Sequence, residues 1–255
     1  MIEKKTNKPI GIFDSGIGGL TVASAIQKAL PKESLMYFGD TLHFPYGEKS
    51  PAIITRYSEK ITDFLLSKGC KCIIIACNTA SSIAFETVKK RAGNRALVFN
   101  VIDPVAEYVA TNFEDKKIGI IATKATVKSG MYEKKIHKLD SSVLVSSYAT
   151  PLLAPMIEEG FFNNKISKTI INSYLSNTKL KGIKALILAC THYPLIKPEI
   201  EEYYKKKVQI IDSAQIVAEN IAKQLRSHQL LTNKKTVKHH FFLSDLTESD
   251  RKSVV

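Results

Sequence analysis

The stretch Lys71-Cys72-Ile73-Ile74-Ile75-Ala76-Cys77-Asn78-Thr79-Ala80-Ser81 decides the fold, because Lys184-Ala185-Leu186-Ile187-Leu188-Ala189-Cys190-Thr191-His192-Tyr193-Pro194 repeats its plan further along the chain. In each copy an apolar run leads straight into a cysteine and then into residues bearing hydroxyl, amide or imidazole groups. An unbroken apolar run of this length reads as a strand buried on both faces, as in a parallel sheet covered by helices. Each cysteine then falls at the carboxyl end of its strand, where open α/β sheets hold their ligands.

Two further matches extend the duplication. Ile10-Gly11-Ile12-Phe13-Asp14-Ser15 resembles Ile118-Gly119-Ile120-Ile121-Ala122-Thr123, and Val101-Ile102-Asp103 resembles Ile210-Ile211-Asp212, each pair at nearly the same separation as the two cysteines. Between them, apolar runs alternate with amphipathic stretches, the βαβ pattern of an α/β protein. Strands are expected at 10–13, 35–38, 97–102, 118–121, 143–147 and 185–189 besides the run before Cys77. Helices are expected at 20–30, 51–68, 81–91 and 214–225. The fold class is therefore α/β, with two similar doubly wound domains related by a pseudo-two-fold axis and the active site in the cleft between them. Asp103-Pro104 reads as the crossing into the second domain and Ile210-Ile211 as the crossing back. The first domain would span 1–102 plus 212–255, and the second 103–211.

With 255 residues and 44% hydrophobic content, the chain can build two cores of ordinary domain size. The segment Met1 to Lys8 is charged, and Asp14 and glycines break the apolar stretch after it, so no signal peptide is expected. No run approaches the length of a membrane span. The excess of 37 Lys+Arg over 24 Asp+Glu is spread along the chain without an aromatic-interleaved stripe, so nucleic acid is not an expected partner. Cysteines at 70, 72, 77 and 190 fit no disulfide framework and point to a reducing cytoplasm. Cys70 and Cys72, two apart on a strand, would share a face that Cys77 does not, which argues against a zinc site. Both read as ordinary buried thiols.

Two segments invite chemistry. Asp14-Ser15-Gly16-Ile17-Gly18-Gly19 places glycines between a strand and a helix, but a dinucleotide fingerprint needs a glycine at position 21 and finds Thr21, so no nucleotide cofactor is expected. The two cysteines carry more. A pseudo-two-fold axis would put them on opposite walls of one cleft, where one thiolate removes a proton from a carbon and the other thiol returns one to the opposite face. That inverts a stereocentre. Asn78-Thr79 and Thr191-His192 would offer short donors to a small anion, and His192, two residues past Cys190, can tune that thiol or relay its proton.

The segments DSGIGG (14–19), PYG (45–47), ACNTAS (76–81), ATKAT (122–126) and CTHYP (190–194), in this order and spacing, resemble those of the glutamate racemases, and the likeness runs from Ile10 to about Leu225. The resemblance implies a two-domain α/β enzyme that needs no pyridoxal phosphate or other cofactor and no metal. It would interconvert L- and D-glutamate in the cytoplasm for peptidoglycan synthesis, and a homodimer is expected. Carried over by position, Cys77 would be the base toward D-glutamate and Cys190 the base toward L-glutamate. Asp14 and His192 would assist them, with Glu158 (Glu159 being its neighbour) in a supporting role. Ser15, Pro45, Tyr46, Gly47, Asn78, Thr79, Thr123, Thr126 and Thr191 would line the glutamate pocket. The alternative within the superfamily is another cofactor-independent racemase such as an aspartate racemase. The alternative from another class is a two-lobed protein that merely closes on an anion.

Overall fold

A computed structural model describes residues 6–233 and 236–246. The chain begins with β1 (Ile10–Asp14), α1 (Leu20–Ala29), β2 (Leu35–Gly39), α2 (Pro51–Ser67), β3 (Cys72–Ile75), α3 (Asn78–Ala92), β4 (Leu97–Asn100) and α4 (Ile102–Asn112). It continues with β5 (Lys117–Ala122), α5 (Lys124–Ser129), α6 (Met131–Leu139), β6 (Leu144–Ala149), α7 (Leu153–Glu158), α8 (Lys165–Leu175), β7 (Ala185–Ala189), α9 (Lys197–Tyr203) and β8 (Gln209–Asp212). Last come α10 (Ser213–Ser227) and β9 (His240–Leu243). Short 3₁₀ turns interrupt the loops, among them Thr41–His43, Tyr46–Glu48 and Tyr193–Ile196.

The strands form two parallel sheets, ordered β4-β3-β1-β2-β9 and β8-β7-β5-β6. Setting β9 aside, the two orders are the same, which is the duplication seen in three dimensions. Gly11 and Gly119 hold matching places in β1 and β5. A Cβ on Gly11 would lie 3.0 Å from Cys70 Sγ, and one on Gly119 would lie 2.8 Å from Ile183 Cδ1. Cys70 and Ile183 are themselves equivalent, since each precedes the cysteine of its own apolar run by the same number of positions.

The central strands of each sheet are buried on both faces, so their successive residues feed different cores. Ile10, Ile12 and Ile74 pack with Val22, Ile26, Val217 and Ile221 of α1 and α10. Phe13, Ile73 and Ile75 pack with Ile54, Ile61, Ala84 and Val88 of α2 and α3. In the second sheet Ile118, Ile120 and Ile187 meet Val105 and Ile136 of α4 and α6, while Ile121, Leu186 and Leu188 meet Ile171 of α8 and Ile200 of α9. This two-sided burial is why the strands read as unbroken apolar runs.

Three expectations require correction. Val101-Ile102-Asp103 is not a strand: β4 ends at Asn100, whose Oδ1 accepts the amides of Ile102 and Asp103 and starts α4. Asp212 does the same for Ala214 at the start of α10, so the true counterpart of Asp212 is Asn100. Ile210-Ile211 is the edge strand β8 and not a bare crossing. Cys70 and Cys72 do not share a face, because the strand begins only at Cys72. Cys70 lies in the core with α2 and α3, and Cys72 in the one with α10. Expected strand 97–102 and helix 81–91 accordingly shift to 97–100 and 78–92, and strand 143–147 to 144–149.

β9 has no counterpart among the expected strands; it joins β2 in parallel after a long return. The end of the expected first domain, residues 247–255, lies outside the described residues. Among the described residues no helix is long and apolar enough to cross a membrane.

Candidate active site

Cys77 follows β3 and serves as the N-cap of α3: its sulfur accepts the Ala80 amide at 3.4 Å. A thiol at this position faces the unpaired amides and positive end of a 15-residue helix. Its S–H reaches Ser15 Oγ at 3.5 Å, and the hydroxyl can reverse the bond and donate once the sulfur is ionised. Burial pushes the Cys77 thiol up to about 12, the nearby Asp14 charge adds to this, and the Ala80 amide and Ser15 work against it. Cys77 is therefore held protonated.

Cys190 follows β7 in the same topological place, but the local structure then diverges. No long helix starts there. Instead His192 Nδ1 lies 3.8 Å from the Cys190 sulfur, and its Nε2 is bonded to the Glu158 carboxylate at the end of α7. Burial alone would pull the His192 pKa down, yet the contacts with Cys190 and Glu158 outweigh it and raise it to about 10. His192 is thus a buried cation beside the Cys190 sulfur. The two halves of the duplication support their thiols by different means, a helix terminus on one wall and an imidazolium on the other.

Both cysteines line one narrow cavity of about 20 Å³. Its wall also holds Ser15, Pro45, Tyr46, Gly47, Asn78, Thr79, Thr123, Thr191 and His192, all expected from the sequence. Phe44, Ala154 and Ala189 complete it. The ring of Phe44 lies 5.5 Å from that of His192, and the Phe44–Pro45 peptide is cis. Larger hollows of about 540 and 480 Å³ flank the cleft, but no cysteine lines either.

Three expected residues stand behind the wall. Asp14 is fully buried and accepts the amides of Gly16 and Gly19 and the Thr191 hydroxyl. Burial raises its pKa, against the pull of His192 and the two amides. Thr126 closes a hydroxyl triangle with Thr79 and Thr123, at 2.9, 3.2 and 3.0 Å, that ties the two lobes together. Glu158 acts through His192.

Of the glycines in 14–19, Gly18 serves lobe contact. A Cβ on Gly18 would lie 2.7 Å from His192 Cε1 and 2.8 Å from Thr191 Oγ1, both in the opposite lobe. Thr21, the residue that breaks the dinucleotide pattern, donates its hydroxyl to Gly18 O and reaches Thr191 O across the cleft. Gly18→Ala is expected to displace His192 and lower kcat/KM by about 10²-fold, since such losses follow ångström-scale misplacement. Steady-state kinetics with a thermal melt checks this, and wild-type kinetics would show the close approach to be dispensable.

Residues 17–221 match the Asp/Glu/Hydantoin racemase family. The chain belongs to that family. It is 42% identical over 240 residues to a glutamate racemase of Geobacter metallireducens, covering 94% of this chain and 88% of the relative. Among solved structures, glutamate racemase from Francisella tularensis in complex with D-glutamate superposes with a TM-score of 0.90 at 38% identity, covering 97% of this chain and 92% of that one. A glutamate racemase isoform from Bacillus anthracis gives a TM-score of 0.92 at 34% identity, with the same coverage. The doubly wound two-lobed architecture is thus that of the racemase family.

Proposed function

We propose that this chain is a glutamate racemase that interconverts L- and D-glutamate by two-base proton transfer at the α-carbon, without a cofactor. What carries the reading is the pair of free thiols lining one small cavity at equivalent ends of duplicated strands, in a chain of this family. Cys190 would take the α-proton of L-glutamate while Cys77, held as a thiol, protonates the opposite face. The reverse direction exchanges their roles. His192, oriented by Glu158, offsets charge developing on the Cys190 sulfur; around Cys77 the Ser15 hydroxyl and the Ala80 amide do the corresponding work, while Asp14 helps to keep that sulfur protonated.

The pocket wall favours a small anion. Ser15, Asn78, Thr79, Thr123 and Thr191 bring hydroxyl and amide donors, and the start of α3 adds backbone amides. Neutral donors hold a carboxylate without the bidentate grip of an arginine, which leaves product free to depart. Pro45, Tyr46 and Gly47 shape the mouth. We take the lobes to be 1–102 with 212–255, and 103–211, opening to exchange ligand. The setting would be the cytoplasm, the product would feed peptidoglycan, and the assembly would be a homodimer.

Incubating the protein with L-glutamate in deuterated water without added cofactor tests the reading. The expected result is loss of optical rotation together with deuterium at Cα. Rotation that stays constant while ligand binds would mean a binding protein, and turnover of aspartate in preference to glutamate would shift the substrate.

A further inference from the structure

We infer that Tyr132 is a positioning residue: its phenol, reaching across the cleft, fixes which end of the Asn78 amide meets the substrate. The inference rests on the glutamate racemase reading above. Asn78 is the first residue of α3, beside Cys77, and is 3% exposed. Its Oδ1 accepts the Tyr132 hydroxyl at 2.6 Å. Its Nδ2 is buried without a hydrogen-bond partner among the described residues, although the residue lines the cavity.

An asparagine amide can turn over and swap its carbonyl and amino ends at little steric cost, so something must select one orientation. Tyr132 does so. Asn78 Oδ1 is the one acceptor that its hydroxyl proton meets among the described residues. With the amide reversed, Nδ2 would donate to the phenol oxygen, the phenol proton would be stranded, and Oδ1 would face the cavity. A carbonyl there would repel a carboxylate. In the orientation observed, the unpaired N–H groups are left for the substrate, and a buried donor without a partner is most readily satisfied by an anion.

The phenol is well suited to the task. Tyr132 sits on α6 of the second lobe, packed with Val105, Ile136 and Val143, and burial raises its pKa so that it keeps its proton. Because Asn78 belongs to the first lobe, the bond exists only when the lobes are together. Closure therefore sets the amide at the same time as it encloses the ligand.

Tyr132→Phe keeps the ring and removes only the hydroxyl. The expected result is a KM for L- and D-glutamate raised about tenfold, with kcat within about twofold of wild type and an unchanged melting temperature. In an Asn78→Ala background the same change should have no further effect, since the phenol acts through that amide. Additive effects in the double variant would overturn the inference, as would an unchanged KM in the single variant. An active wild type with unchanged KM in Tyr132→Phe sinks this inference alone, whereas a wild type without glutamate turnover overturns the functional reading along with it.

Discussion

Replacing Cys77 or Cys190 by alanine is expected to lower kcat/KM for glutamate by about 10³-fold or more in both directions, with the fold retained. On the proposed mechanism each thiol is one of two obligatory proton carriers. The loss must be symmetric, because enantiomers have equal free energies in water and the two values of kcat/KM are therefore tied together. Proton exchange need not be symmetric. The Cys77→Ala variant keeps Cys190 with its His192 partner and should still wash solvent deuterium into L-glutamate without inverting it. Cys190→Ala should do the same only for D-glutamate. Mass spectrometry on each enantiomer in deuterated water reads this out. Near-normal racemisation in either variant would refute the two-base mechanism, and exchange of the opposite enantiomers would reverse the assignment of bases.

The second large effect is expected at His192. Its side chain is buried, in contact with the Cys190 sulfur and bonded to Glu158, and those contacts hold it as a cation up to about pH 10 against the opposing effect of burial. His192→Asn should cost about 10²-fold in kcat/KM, because charge on the Cys190 sulfur loses its counterpart. The pH dependence separates this from simple damage. Activity that depends on the imidazolium is present below the His192 pKa and falls as pH rises through it. Glu158→Gln removes one of the contacts that raise that pKa, so the alkaline decline of kcat/KM should move to lower pH while His192 remains. In His192→Asn that limb should vanish. An alkaline limb unmoved by Glu158→Gln would show that Glu158 does not set the state of the histidine.

Much of this protein was legible along the chain. The apolar runs into Cys77 and Cys190, with Gly11 and Gly119 before them, carry the duplication, because strands covered on both faces leave an uninterrupted hydrophobic record. The same local logic put both thiols at strand ends, where backbone amides and helix starts are free to serve a ligand. It misjudged places where a slight shift of register decides the outcome. Asn100 ends β4 by capping α4, which a run of Val and Ile conceals, and β9 reaches β2 from the far end of the chain with only four residues of its own.

The residue types that the proposed mechanism uses to bind an anion and move a proton, and the order in which they occur, are thus written in the sequence itself. The tertiary structure alone decided the partnerships: Glu158 with His192, Gly18 against His192 and Thr191, Thr79 with Thr123 and Thr126, and Tyr132 with Asn78. Each joins residues far apart in sequence, and most join opposite lobes. Such contacts arise from how two separately built cores come together, and no local periodicity records that approach.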